Sequence, residues 1–441
     1  MIDTLDSRAS AGRDSPFPTD RRILLRRLFD AAVRRALPEA VMPARLPSAA
    51  GGRLVVMAIG KAAAEMMRVA QARSDQALAG LAVTRHGHLP DHGMGWEGVE
   101  VIEAGHPYPD DNSIRAAERA LTIAHALGAG DHLLVLLSGG GSALLAAPAD
   151  GLDLAEKQGV TRALLQSGAT IEEINCVRKH LSRIKGGRLA VAAAPARVTT
   201  WIISDVPGDD PSSVASGPTV ADRTSLAAAR AILDRHAIVP TPAVAAALAD
   251  ARNETPDAQA AGLGECETAI LARAADALAA ASDLAAEWGF SVDNLGDRIE
   301  GEARAVASDH ATLALGLLHS AGRTLLLSGG ETTVTVRNRE GRGGRNMEYL
   351  LSLAIALDGR PGVHALACDT DGIDGTDDAA GAIITPDTLD RARAKGLDAA
   401  QHLARNDAYP FFAALGDLVI TGPTLTNVND FRAILIDGEM P

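Results

Sequence analysis

The sequence predicts an α/β fold built on a mostly parallel sheet, and three observations carry that prediction. First, five short apolar runs each stop at a polar or glycine-rich turn. They are LVVMAIGK (Leu54 to Lys61), LLVLLSGGGS (Leu133 to Ser142), TTWIISDVPGDD (Thr199 to Asp210), TLLLSGGETT (Thr324 to Thr333) and HALACDTDGIDG (His364 to Gly375). Buried parallel strands need such continuous apolar stretches, and in open α/β sheets ligands collect beyond the carboxyl ends of the strands. Second, strand-like and helix-like segments alternate along the chain, the order that covers both faces of a sheet with helices. Third, at 441 residues the chain exceeds the size at which one core keeps growing, so two domains are expected.

Taken in order, Met1 to about Thr19 is rich in Ser, Pro, Gly and charge and reads as a loose tail. RRILLRRLFDAAVRRAL (Arg21 to Leu37) has apolar residues at helical spacing. Strands are expected at Leu54 to Ile59, Leu81 to Val83, Val99 to Ile102, Leu133 to Leu137 and Val198 to Ile203. Between them lie a helix beginning near Lys61, a helix from Ser113 to Leu127 capped by Asn112 or Ser113, and helices over Leu154 to Gln166 and Ile171 to Ala193. Pro240 to Gly264 carries an alanine-rich helix followed by NETPDAQAAGLGE, a shift toward polar and breaker residues where a linker is expected. A second α/β run then opens with strand Thr268 to Leu271, helix Ala272 to Trp288, strand Phe290 to Val292 and helix Gly301 to His319. Thr324 to Leu327 and Thr332 to Val336 follow, the latter alternating as an edge or hairpin strand does, with later strands at Val363 to Ala367, Ala382 to Ile384, Leu418 to Ile420 and Ala433 to Ile436.

Composition narrows the function. A net charge of −14 supplies no global field to attract nucleic acid, and no basic block does so locally. Any anion must therefore be captured by a local pocket. No apolar run approaches the ~20 residues of a membrane span, and the start lacks a secretory pattern, so a cytoplasmic enzyme is expected. Cys176, Cys266 and Cys368 lie far apart and are expected to be reduced, buried thiols.

The strand ends carry the candidate chemistry. In Ser138-Gly139-Gly140-Gly141-Ser142 three glycines let main-chain N–H groups converge on an anion such as phosphate or carboxylate. This turn is not a nucleophile elbow. Leu144 stands where the third glycine of a dinucleotide fingerprint belongs, and no P-loop pattern occurs anywhere. Lys61 follows a strand end, where its ammonium can reach a transferring phosphoryl group. Gly341-Arg342-Gly343-Gly344-Arg345-Asn346 is its counterpart in the second half, offering bidentate guanidiniums at a helix start. Asp205, Asp209 and Asp210 follow one strand and Asp369, Asp371 and Asp374 another, able to hold Mg2+ or to take an alcohol proton, or serving only as turn formers. Ala380 stands where an EF-hand loop begun at Asp369 needs its bidentate glutamate, so that reading fails. His106 reads as structural. Arg178 and Lys185, seven apart, share one helix face that points either into the cleft or to solvent.

Together the segments AIGKAAAEM, AGHPYPDDNS, LSGGGSALL, INCVRKHLSRIKGGRLA, ISDVPGDDPSSVASGPT, LSGGETTVTV, GRGGRNMEYLLSLA, DTDGIDGTDDAAGA and TGPTLTNVNDF resemble the glycerate 2-kinase family. Its second half is the MOFRL domain, and some of its members carry the label hydroxypyruvate reductase. The resemblance extends from about Leu54 to Phe431. It implies ATP-dependent phosphorylation of D-glycerate at the 2-hydroxyl with a divalent cation. It also implies a large N-terminal three-layer α/β/α domain and a smaller C-terminal α/β domain with a mixed sheet, with the active site in the cleft between them. The division expected is residues 20–255 and 256–441, with the MOFRL core over about 322–436.

On that resemblance Lys61 and Arg345 match positions that act in catalysis, with Lys61 neutralising the γ-phosphoryl and Arg345 holding the glycerate carboxylate or the transferring group. Asp205 is the first choice for base or Mg2+ ligand and Asp371 the second. ATP falls to Ser138, Gly139, Gly140, Gly141, Ser142, Lys185, Gly343 and Gly344. Met347 replaces the glutamine expected in GRGGRNQE, which bears on substrate selectivity. The expected partners are D-glycerate and ATP, without nucleic acid or membrane, and a homodimer is left open. The alternatives are an NAD(P)H-dependent hydroxypyruvate reductase, whose fingerprint the chain lacks, and a noncatalytic metabolite-binding protein.

Overall fold

The computed structural model describes residues 20–89, 95–260, 262–319, 322–375 and 377–438; the expected tail lies outside them. The first sheet contains β1 (Leu54–Ile59), β2 (Ala79–Arg85), β3 (Val99–Ala104), β4 (His132–Leu137), β5 (Arg197–Ile203) and β6 (Glu267–Ala272). Its order is β3-β2-β1-β4-β5-β6, and every pair is parallel. The order reverses direction between β1 and β4, so their connections diverge and leave a crevice at the carboxyl ends. Gly60-Lys61 and the Ser138 to Ser142 turn flank that crevice.

Both faces of the sheet are covered. Val55, Met57 and Ile59 enter a core shared with helix Asp111–His125, while Val56 and Ala58 enter one shared with helix Ala63–Ala72, the period-two division that a buried strand requires. This second core also takes in Leu325, Leu327, Leu366 and Phe431 of the other sheet, so one apolar layer joins the two.

The second sheet is mixed, as the family resemblance implies. It is built from β7 (Ser291–Asn294), β9 (Arg323–Ser328), β11 (Val363–Asp369), β12 (Gly381–Ile384), β13 (Leu418–Val419) and β14 (Asp430–Asp437) in the order β13-β12-β11-β14-β9-β7. A separate parallel pair joins β8 (Ile299–Glu302) to β10 (Gly330–Thr333). Of the edge or hairpin roles expected for the strand after β9, β10 takes the edge role. Gly330, at φ +101°, turns the chain so close to β8 that a Cβ there would lie 2.3 Å from the Ile299 carbonyl oxygen, and β10 pairs with that strand instead.

Three further differences from the sequence reading have local causes, and the expected first helix shows where its apolar face goes. The strand expected to open the second α/β run, β6, pairs with β5 as an edge of the first sheet. Helix Arg21–Ala36 buries its apolar face between the sheets, with Phe29 against Phe431 at 5.9 Å and Arg21 on Asp437 at 2.7 and 2.8 Å. The segment expected as one helix, Ile171 to Ala193, breaks into Ile171–His180 and Arg188–Ala193 because Gly186 and Gly187 take φ of +59° and +84°. Asp110, rather than Asn112 or Ser113, caps helix Asp111–His125, its carboxylate accepting from the Ser113 N–H at 3.0 Å. Cys176 and Cys368 are buried and Cys266 half-buried, all as free thiols. No described helix is long and apolar enough to cross a membrane.

Candidate active site

The glycine turn after β4 is shaped by what it must pass. A Cβ on Gly139 would lie 1.8 Å from Asp205 Oδ2 and 2.4 Å from Asn427 Nδ2, and one on Gly140 would lie 3.0 Å from His106. Only glycine admits this approach. The Gly139 carbonyl accepts from the Lys61 N–H at 2.8 Å, and Ser138 Oγ accepts from the Ala62 N–H at 3.0 Å, so the turns after β1 and β4 are tied together. Ser142 Oγ meets Ser216 Oγ at 2.7 Å, and Lys185 Nζ donates to the Ser142 carbonyl at 2.9 Å from the far side of the turn.

Across the crevice stands the Asp369 to Gly375 loop at the end of β11. Lys61 Nζ donates to Asp371 Oδ2 at 2.6 Å. Burial disfavours the ammonium, yet Asp371, Asp369 and Asp205 together hold its pKa above the ordinary lysine value. Burial likewise opposes ionisation of Asp371, but Lys61 and the Ile373 N–H, 2.9 Å away, keep its carboxyl below the usual range. Asp369 goes the other way, pushed well up by burial and by repulsion from Asp371.

Asp205, at the end of β5, is held by the second half of the chain. Asn427 Nδ2 donates to its Oδ2 at 2.9 Å, and Asn429 Nδ2 donates to its carbonyl oxygen. Burial pushes the Asp205 carboxyl up to about 6 against the pull of Lys61, and Glu331 adds to the rise. Two carboxylates of different ionisation thus face one ammonium.

Arg345 is fully engaged. Its Nε donates to Asp430 at 2.8 Å, one terminal nitrogen to Glu331 at 2.7 Å and the other to Asp369 at 3.0 Å, joining β14, β10 and β11. The adjoining glycines face protein carboxylates as well. Asp374 accepts from the Asn346 and Met347 N–H groups at 3.0 and 2.8 Å, capping helix Arg345–Leu357, and a Cβ on Gly344 would lie 2.3 Å from it. Gly343 N–H donates to Asp377 at 3.0 Å. Met347 is fully buried in the apolar core under this helix, so the selectivity effect expected of it has no contact to act through.

Lys61, Asp205, Asp371 and the Gly139 to Ser142 turn therefore converge, and Arg345 joins them through Asp369. Gly343 and Gly344 serve the Arg345 helix, and Lys185 lies behind Ser142. Asp209 and Asp210 stand apart, the first 3.8 Å from Arg273 and the second capping Ser212 at 2.9 Å. Asp369 was among the strand-end carboxylates singled out in the sequence, whereas Asp430, Asn427 and Asn429 were missed as site residues, although all three crowd one short polar run, TNVND. His106, read as structural, lies beside Lys61; burial and then the Lys61 charge lower its pKa to about 3, so its ring is neutral.

Among the described residues no three His, Cys, Asp or Glu groups converge as metal ligands. Asp205 and Asp371 both act on the same ammonium, and this pair fits an ion that takes one or two carboxylates and fills its shell with substrate phosphates and water.

Comparison with known proteins agrees with this architecture. The family described as "Domain of unknown function (DUF4147)" matches residues 24–249, and the MOFRL family matches residues 324–430. A protein of Agrobacterium vitis named "Putative hydroxypyruvate reductase" is 50% identical over 422 residues, covering 94% of each chain. The "D-glycerate 2-kinase" of Thermotoga maritima is 39% identical over 423 residues, 93% of this chain and 98% of that one. A crystal structure of glycerate kinase from Thermotoga maritima superposes with a TM-score of 0.82 at 36% identity, covering 95% of this chain and all of that one. With the same two halves in the same order, this chain belongs to the MOFRL-containing glycerate 2-kinase family.

Proposed function

We propose that this chain transfers the γ-phosphoryl group of ATP to the 2-hydroxyl of D-glycerate, giving 2-phosphoglycerate and ADP. The observation that carries the reading is the ion pair of Lys61 with Asp371 at the mouth of the β1/β4 crevice, within the field of Asp205. Phosphoryl transfer asks a protein mainly for positioning and charge neutralisation. Lys61 supplies the positive charge for the transferring group. Asp205, with its carboxyl raised to about 6, is ionised at neutral pH yet basic enough to take the proton of the attacking hydroxyl. Arg345 holds Asp369 and Asp430 in place, and displacement of the half-exposed Glu331 would free its remaining terminal nitrogen for an incoming carboxylate or phosphoryl oxygen. The N–H groups of the Gly139 to Ser142 turn face the nucleotide phosphates, and Lys185 supports the turn from behind through the Ser142 carbonyl. Mg2+, when bound, would neutralise phosphate charge and would be held by Asp371, with Asp205 left free for the hydroxyl proton.

The reductase reading draws on the name of the Agrobacterium vitis relative and on a strand order shared with dinucleotide-binding sheets. Against it, the turn after β1 carries Gly60-Lys61 with no glycine fingerprint behind it. Phosphorus NMR of the product formed from ATP and D-glycerate tests the kinase reading, with 2-phosphoglycerate the expected product. Oxidation of NADH by hydroxypyruvate with no ATP consumption on glycerate would overturn it.

A further inference from the structure

Behind the glycine turn lies a group of cations without anions. Lys157, on helix Leu154–Gln166, is 7% exposed, and its Nζ is buried without a hydrogen-bond partner. Lys185 is 2% exposed and donates only to the carbonyl oxygens of Ser142 and Ala215, at 2.9 and 3.4 Å. Arg178, half-buried on helix Ile171–His180, shares their surroundings. Burial lowers the Lys157 pKa to about 7, with Arg178, Arg188 and Arg183 adding to the fall. Burial, Lys157 and Arg178 lower that of Lys185. No carboxylate counters any of these shifts. The nearby acids are already committed, Asp222 to Lys179 at 3.2 Å, Glu254 to His180 at 3.2 Å and Glu118 to Arg183.

Buried charges are ordinarily paired, because an unpaired one costs several kcal/mol. That cost drives Lys157 and Lys185 toward their neutral forms, and an anion brought among them would restore their charge. The backbone beside them points the same way. Ala215, Ser216 and Gly217 take consecutive left-handed φ values of +52°, +60° and +58°, which aim the Ala215 carbonyl at Lys185 and set Ser216 Oγ against Ser142 and Asn175. Strain of about 1–3 kcal/mol at each non-glycine residue is characteristic of ligand-holding segments. Half-buried Ser142 and Arg178 are where the cluster meets solvent.

We infer that Lys157, Arg178 and Lys185 form a binding site for a phosphate-bearing polyanion, entered beside the Ser142 turn. Three cations match a phosphate chain, or a phosphate and carboxylate on one small molecule, and exceed what a lone carboxylate needs. The identity of the ligand rests on the proposed phosphoryl transfer, whose nucleotide and phosphorylated product both carry this chemistry.

Calorimetric titration of the full chain and of Lys157→Met and Arg178→Gln tests the site, with inorganic tripolyphosphate, MgADP and 2-phosphoglycerate as separate probes. Each variant is expected to bind tripolyphosphate about tenfold or more weakly, the loss of one charge-assisted contact. Wild-type binding at pH 7.5 is expected to take up protons, read from buffers of different ionisation enthalpy, and Lys157→Met binding is expected to take up fewer. Without added anion Lys157→Met should melt no lower than wild type, whereas a lysine serving the fold would be missed. Whichever of MgADP and 2-phosphoglycerate loses affinity in the variants identifies whose phosphate is held. Affinities within about twofold of wild type for all three probes overturn the inference. Wild-type turnover of ATP with glycerate is scored separately. Turnover with unchanged variant binding rejects this site alone, and variant-sensitive polyphosphate binding without turnover on any hydroxy acid rejects the kinase reading alone.

Discussion

The ammonium of Lys61 and the carboxylate of Asp371, 310 residues apart in the chain, meet at 2.6 Å between the carboxyl ends of two sheets. The contact converts two separate strand-end turns into one site. It also fixes what each residue can do, since Lys61 stays charged and Asp371 stays ionised across the neutral range.

Lys61→Ala should therefore lower kcat by on the order of 10²–10³, the loss of one preorganised charge partner. Lys61→Met, which keeps the apolar stem, should show the same fall with less disturbance of packing around a side chain only 13% exposed. Steady-state kinetics with glycerate and ATP measure both variants. Near-normal turnover in either removes Lys61 from the reaction.

Gly139→Ala tests the closeness of the glycine turn to Asp205. The added methyl would stand 1.8 Å from Asp205 Oδ2, so Asp205 must swing away and release Asn427. Overpacking of this kind costs about 1–3 kcal/mol, and kcat should fall much further than that cost in stability suggests. A variant that is destabilised but fully active per folded molecule would show that the turn matters only for packing.

How far the sequence revealed this site follows from how local each signal is. Buried strands such as LVVMAI and HLLVLL declare themselves by continuous apolar runs, and the residues after them are placed by the rule for parallel sheets. Lys61, Asp205 and Asp371 were legible for that reason. Partnerships were not. Nothing local says that Gly344 faces Asp374, that β6 pairs with β5, or that Asn427 reaches back to Asp205 across 222 residues. Arg345 shows the limit clearly, because its type and place were readable while the three carboxylates that occupy it come from three distant strands.

Arg345→Lys should behave as a disruptive change despite the conserved charge. An ammonium cannot reproduce a planar fork that binds Asp430, Glu331 and Asp369 at once. Asp430 is nearly inaccessible, and leaving it without its partner costs about 3–5 kcal/mol. Thermal unfolding should show a clear loss of stability, and activity should fall with it. An unchanged melting temperature would show that Asn346 and Arg432, the other donors to Asp430, suffice to hold it.

Asp205 yields the most discriminating prediction, because function and stability should respond to pH in opposite senses. If Asp205 takes the hydroxyl proton, kcat/KM should fall on the acid side as pH drops through about 6, and Asp205→Asn should remove that limb while lowering the rate by about 10²–10⁴. The folded-state pKa lies above the ordinary aspartate value near ~3.9, so the protonated form favours the fold. That stabilising contribution is fully present below about pH 4 and is lost as pH rises through about 6. Above that range the ionised, buried carboxylate weakens the fold by on the order of 2 kcal/mol. Asp205→Asn, which keeps an acceptor for Asn427, should accordingly melt higher than wild type at pH 8, and the gap should close toward pH 4. Melting curves without divalent cation at the two pH values measure this. A variant that is less stable than wild type at pH 8 and equal to it at pH 4 would mean that the carboxylate anchors the two sheets and is not held at a cost for catalysis.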